Sequence, residues 1–252
     1  MILLWQGYRD DAVRTLRYML LFAALALATN ALTKTDSSTP RQGSRLWAQI
    51  LLCMGAIVAT GLVSAWFGSE DDPAYDALSR FYSSGCWQFA AEVIAVFLGL
   101  RFLGLKADDL GLRRWAPKAL LVGLLWVATA IAFLTSDVLS GVISSGEAFH
   151  QVCQNVFRNG FSEEFLFRGA LLSRLRVIVP DEWAILGQAL IFGLWHYGAD
   201  VRAAQGNVVV TLCFAVTVQG VFGYALGFLA LRTRSLAIGS VFHAIADATD
   251  II

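Results

Sequence analysis

The sequence predicts an all-α fold, a polytopic membrane helix bundle of about eight transmembrane helices. Composition points there first. Of 252 residues, 57% are hydrophobic and only 15% charged, with a mean hydropathy of +0.62, whereas an average soluble chain carries about 25% charged residues. Such a chain lacks the polar surface to cover a water-soluble globule of its size. The second observation is a succession of apolar runs near the length of about 20 residues that a helix needs to cross the hydrocarbon core, punctuated by charge. Only four prolines interrupt the chain, which suits long helices. The same figures exclude a disordered chain. Four scattered cysteines, none in a CxxC pair, exclude a disulfide scaffold. The balance of 19 basic against 19 acidic residues gives no sign of a nucleic-acid partner.

Taken in order, the first span covers residues 18–32. It also reads as a cleavable signal, since Arg9, Arg14 and Arg17 precede an apolar core and Ala26-Leu27-Ala28 offers a small-residue site. The long preceding region and its Asp10 and Asp11 favour an uncleaved anchor. Residues 46–67 and 119–139 are clear spans, as are residues 208–231, which hold no charge at all before the flanking arginines. Four further spans contain charge: 86–105 with Glu92 and Arg101, 151–179 with Glu163, Glu164 and Arg168, 183–197 ending at His196 and Tyr197, and 236–252 with His243, Asp247 and Asp250. Small residues recur in these runs, as helices packed closely in lipid require. No internal repeat or low-complexity tract is evident.

Orientation follows from Lys and Arg in the short loops, which are enriched on the cytoplasmic side. One set of loops holds Lys34, Arg41, Arg45, Lys106, Arg113, Arg114, Lys118, Arg174, Arg176, Arg232 and Arg234. The opposite set holds Arg80, Arg202 and the three amino-terminal arginines, together with the acidic segment around Glu70, Asp71, Asp72 and Asp76. The expected topology has both termini outside.

An ionisable group at the centre of a spanning helix costs at least about 2.5 to 3.5 kcal/mol, so three clusters require a reason. In Asn159-Gly160-Phe161-Ser162-Glu163-Glu164-Phe165-Leu166-Phe167-Arg168, Glu164 and Arg168 lie one turn apart on one face, suited to an ion pair. Glu163 is rotated about 100° from Glu164 at 3.6 residues per turn and points elsewhere. Phe192 shares a face with His196, and His243 shares one with Asp247.

These residues resemble the CPBP (CAAX protease and bacteriocin-processing, or Abi) intramembrane glutamic proteases, which include the CAAX prenyl endopeptidases. That family's pattern is EExxxR, then FxxxH, then HxxxN on successive helices of a four-helix core. Glu163, Glu164 and Arg168 match the first motif in full, Phe192 and His196 the second, and His243 the start of the third. The departure is Asp247, where the family more often has Asn. The resemblance covers about residues 151–252, implying a carboxy-terminal catalytic core of about four spans behind four amino-terminal spans in residues 1–150.

Peptide hydrolysis needs a base to activate water and donors to hold the oxyanion. Glu163 suits the base, His196 can orient the water or relay its proton, and His243 can donate to the oxyanion. By resemblance, the residue at 247 is a second donor. An ionised Asp247 cannot donate, so three options stand: it is protonated, it orients His243, or this branch uses its pocket differently. Orientation of His243 is favoured. Glu164 and Arg168 read as structural support, as does Phe192. Each group also has a plainer reading. Glu163 suits a solvated helix end, His196 an interfacial position beside Trp195 and Tyr197, and His243 and Asp247 can satisfy one another. Glu92 reads as a packing polar group and Arg101 as an interfacial snorkelling side chain. Cys53, Cys86, Cys153 and Cys213 read as inert, with a Cys86–Cys153 disulfide left open.

The expected function is an intramembrane endopeptidase acting on membrane-associated proteins or peptides without a cofactor. One rival is a zinc-dependent version of the same protease. Zinc has the right ligand types here, although there is no HExxH and three helices would have to converge. Another is a non-catalytic immunity or scaffold protein on the same fold. A transporter would show paired Gly or Pro breaks, which are not seen. In the expected topology Glu163 and His196 sit in the outer half to middle of the membrane, suiting an exported substrate. The inverted topology suits cleavage from the cytoplasmic face.

Overall fold

In the computed structural model, residues 9–33, 44–67, 85–110, 116 and 118–249 are described. Among them there is no strand, and nine helices follow one another: α1 (Arg9–Leu32), α2 (Leu46–Phe67), α3 (86–102), α4 (Ala119–Leu139), α5 (145–175), α6 (Asp181–Trp195), α7 (Tyr197–Ala203), α8 (Val208–Thr233) and α9 (Leu236–Ala246). The hydropathy bounds of α2 and α4 are met to the residue. Side-chain caps set two other starts. Ser144 accepts from the Glu147 amide at the head of α5, and Asn207 accepts from the Val209 and Val210 amides at the head of α8, each satisfying donors the helix leaves orphaned.

Among the described residues, four helices are long and apolar enough to cross a membrane: Val13–Leu32, Leu46–Val63, Ala119–Leu139 and Val208–Thr233. Leucines and valines at Leu51, Val58, Leu62, Leu120 and Leu124 face outward from α2 and α4, a surface suited to lipid rather than water. Two of the other expected spans are shorter. The 15-residue α6 reaches only about 22 Å and the 11-residue α9 about 16 Å at 1.5 Å per residue, against a hydrocarbon core of about 30 Å. Both stop at a residue singled out above, His196 and Asp247, instead of running on to 197 and 252. Lys34, Arg41, Arg80, Arg113, Arg114 and the acidic segment 68–84, on which the orientation leans, and also Asp250, lie outside the described residues.

The division at residue 150 falls inside α5, and the packing crosses it. Phe22 of α1, Trp126 of α4, Phe222 of α8 and Phe242 of α9 form one buried aromatic cluster, with Trp126 and Phe242 centroids 5.0 Å apart and Phe22 and Phe222 5.7 Å apart. The Trp126 indole donates to the Thr29 hydroxyl at 2.9 Å, so its polar edge is satisfied in the interior. Truncation of Trp126 to alanine opens a cavity here and orphans that hydroxyl. The expected loss is about 3–5 kcal/mol, read as a melting temperature lower by about 10 °C in detergent.

Three of the helices leave regular α geometry. Phe89–Ala95 in α3, Val156–Phe161 and Glu164–Leu172 in α5, and Ala215–Gly220 in α8 are π-helical, a form that is found disproportionately at functional sites. Glu92, Asn159, Glu164 and Arg168 all lie on these stretches.

Candidate active site

Three helices meet around one imidazole. The central stretch of α5 carries Asn159, Glu163, Glu164 and Arg168, while the carboxy-terminal turns of α6 and α9 bring His196 and His243 with Asp247. Close approach of α5 and α9 depends on Gly160, where an added Cβ would stand 2.5 Å from the Ser240 carbonyl oxygen.

Glu163 and Glu164 address opposite nitrogens of His243. Glu164 Oε1 lies 3.0 Å from His243 Nδ1 and also 3.0 Å from Arg168 Nη1, with neither side chain of that ion pair exposed. Arg168 in turn donates to the Gly223 carbonyl at 3.3 Å and lies 4.3 Å above the Phe192 ring, an arrangement that spreads its buried charge over three partners. On the other side, His243 Nε2 stands 3.7 Å from Glu163 Oε2 and 3.4 Å from Asp247 Oδ1. Asp247 is held by Asn159, whose side-chain amide donates to Oδ2 at 2.7 Å. Phe222 closes the ring of neighbours, edge-on to His243 at 4.8 Å.

His196 approaches Glu163 from α6, its Nε2 3.9 Å from Glu163 Oε2. Its Nδ1 lies 2.9 Å from the Phe192 carbonyl oxygen. A carbonyl only accepts, so Nδ1 is the donor and Nε2 is left to face Glu163. The indole of Trp195 packs at right angles to the imidazole, centroids 4.8 Å apart, and donates to Thr60 of α2 at 3.2 Å. Glu163 is buried, yet its Oε2 makes no hydrogen bond. A carboxylate oxygen standing 3.7 and 3.9 Å from two imidazole nitrogens is arranged to hold and polarise a small polar molecule between them.

All the residues singled out in the sequence therefore come together: Glu163, Glu164, Arg168, Phe192, His196, His243 and Asp247. Three roles were not foreseen. Glu164 is more than half of an ion pair, because it also anchors His243. Asn159 secures Asp247, and its place four residues before Glu163, one turn away on the helix, was the available signal. Asp247 meets His243 at Nε2, while Glu164 meets the ring at Nδ1. Cys53, Cys153 and Cys213 are free thiols, so Cys153 is not bridged to Cys86. Among the described residues no three His, Cys, Asp or Glu side chains are placed to hold a metal ion.

A helical membrane protein with a buried carboxylate and imidazole cluster is the class that this fold and site define. Residues 145–249 match the model of a protein family described as type II CAAX prenyl endopeptidase, Rce1-like, which bears out the resemblance carried by the three motifs. The match takes in α5 to α9, less than half of the chain, and over that stretch it supports an intramembrane endopeptidase whose substrate is a membrane-associated protein. No curated protein and no solved structure matches the chain.

Proposed function

We propose that the protein hydrolyses a peptide bond within or beside the membrane by a glutamate mechanism. The observation that carries this reading is the unbonded Oε2 of Glu163, buried between Nε2 of His196 and Nε2 of His243. Glu163 takes a proton from water while His196 accepts the water's second hydrogen bond, and the oxygen attacks the scissile carbonyl. With carboxylate oxygens at both ring nitrogens, His243 as an imidazolium has two N–H donors. One is committed to Glu164, and the other can turn from Asp247 to the oxyanion. As the carbon–nitrogen bond breaks, the proton held by Glu163 passes to the departing amine, leaving a carboxylic acid and an amine. Asp247, itself held by Asn159, keeps His243 charged through the cycle.

Glu163→Gln is nearly isosteric and removes only the base. In quantitative terminal-peptide mass spectrometry of host membranes and secreted material, new termini made by the wild-type protein are expected to fall at least about 100-fold in this variant at matched expression, since a positioned base contributes 10²- to 10⁴-fold. Those termini would name the substrate and the side of the membrane it is cut from. A deletion phenotype rescued by Glu163→Gln, with no change in termini, would instead establish the immunity or scaffold reading. Cleavage is further expected to survive exhaustive chelation. Loss on chelation with recovery on added zinc would make the metal-dependent version correct.

A further inference from the structure

At the rim of the catalytic cluster, the ends of three helices enclose an open cavity of about 600 Å³, lined by Asp137 from α4, Ser144, Glu147 and Gln151 from the head of α5, and Asp247 and Thr249 from the end of α9. Its size falls within the range of about 300–1,000 Å³ typical of ligand sites. Three of the lining residues carry carboxyl groups, and among the described residues that line it none is basic. Neither the three motifs nor the chemistry proposed above uses Asp137 or Glu147.

The cavity borders the reacting groups directly, because Asp247 is a wall of both. Its Oδ1 stands 3.4 Å from His243 Nε2, which in turn stands 3.7 Å from Glu163 Oε2. His243 faces Asp247 from within, and the cavity faces it from without. The acids are also placed to suit a cationic guest. Asp137 falls in the last turn of α4 and Asp247 caps the carboxy terminus of α9, so two helices present their negative ends to one space, each with a carboxyl group added, where a cation is preferred. Glu147 stands exposed in the first turn of α5. Its carboxyl group accepts from the Gln151 amide at 3.0 Å, a neutral partner that leaves its charge in place.

We propose that this cavity is a substrate subsite, which takes a lysine or arginine side chain close to the bond to be cut. The inference rests on the endopeptidase reading and names its substrate class: membrane-anchored proteins cleaved beside a basic juxtamembrane stretch. Asp137 and Glu147 hold the cationic head, while the scissile carbonyl reaches His243 past Asp247. A cavity of about 600 Å³ is roughly 10 Å across, a distance that an extended chain covers in about three residues. The level in the membrane argues the same way. Helix α4 is long and apolar enough to cross, and the cavity lies where it ends, the depth at which a substrate chain leaves the hydrocarbon and its lysine and arginine heads meet water. An acidic side chain in the same place meets three carboxyl groups, and that like-charge contact rejects it.

The test uses the full chain in lipid nanodiscs. Junctions that Glu163→Gln leaves uncut in host membranes are expected to carry lysine or arginine within about three residues of the cut, and a fluorogenic peptide spanning one of them is the probe. Replacing its basic residue by glutamine should raise KM about tenfold with kcat little changed, the pattern of lost binding that is equal in ground and transition states, and replacing it by glutamate should raise KM further. Glu147→Gln and Asp137→Asn keep the side-chain volumes. Each should raise KM for the basic peptide about two- to fivefold, the scale of ion pairs that keep contact with water, and leave the glutamine peptide unaffected. Glutamine serves the first turn of a helix as glutamate does, so Glu147→Gln should melt with wild type. Glu147→Lys should cut the glutamate peptide better than wild type does, a gain that a merely structural role for Glu147 does not produce. Junctions with no basic residue nearby, a wild-type KM indifferent to the peptide's charge, or a preference that survives Glu147→Gln combined with Asp137→Asn overturns the inference and leaves the endopeptidase reading standing. If Asp137→Asn does not fold, the two Glu147 variants decide alone. If no Glu163-dependent junction exists, the endopeptidase reading itself falls, and this inference with it.

Discussion

Glu164→Leu is expected to destabilise the protein by about 3–5 kcal/mol and to abolish cleavage. The stability loss is the known consequence of removing one partner from a buried ion pair: Arg168, unexposed and 3.0 Å from Glu164, is left charged with only the Gly223 carbonyl and the Phe192 face. Arg168→Met should cost less, because the carboxylate keeps His243 Nδ1 as a partner at 3.0 Å. The informative variant carries both changes. Buried ion pairs replaced by apolar residues of similar volume are often neutral in stability, so the double variant should melt near wild type. Its cleavage should nevertheless remain depressed, by as much as about 10⁴-fold, as happens when the carboxylate that orients a reactive histidine is lost, because Glu164 is also the partner of His243 Nδ1 at 3.0 Å. Thermal melting in detergent and cleavage of the same peptide read the two effects separately. If the double variant regains activity along with stability, Glu164 serves the fold alone.

The second large effect comes from one methyl group. An added Cβ on Gly193 would lie 2.0 Å from the Ala215 carbonyl oxygen and 3.0 Å from its carbon, so in Gly193→Ala helices α6 and α8 must separate by roughly 1 Å, a strain of about 1–3 kcal/mol for overpacked interiors. His196 follows three residues later on the same helix and moves with it. A displacement of about 1 Å at a reacting group can cost 10²-fold, so cleavage should fall by about that factor. Gly187→Ala is the control, because on the same helix its Cβ would meet only the Leu175 side chain at 4.0 Å. That substitution should be neutral or stabilise α6 by up to about 1 kcal/mol. Equal losses in both variants would mean that helix α6 responds to alanine in general and not to the Ala215 contact.

What the sequence makes legible, and what it conceals, divides along a physical line. Burial in lipid acts on every residue of a run, so hydropathy alone places α2 and α4 to the residue, and the spacing of Glu164 and Arg168 announces a pair one turn apart. Contacts between helices leave no such trace. Nothing local shows that Glu164 reaches His243, 79 positions away, or that Gly193 abuts a carbonyl of α8. The shortness of α9 was equally hidden: residues 236–252 are apolar enough to read as one span, but the helix closes in a turn at residues 247–249, and Asp247 stands beside His243.

Because α6 ends at His196 and α9 ends at Asp247, the partially negative ends of two helices converge on the same spot, already lined by Glu163, Glu164 and Asp247. For an endopeptidase this makes the two halves of the cut chain unequal tenants. The fragment bearing the new carboxylate meets Glu163, Asp247 and two negative helix ends with only the His243 imidazolium to offset them, while the fragment bearing the new amine, once protonated, is held. The order of departure is thereby set, carboxylate fragment first, and the pace of turnover passes to whichever interactions finally release the amine.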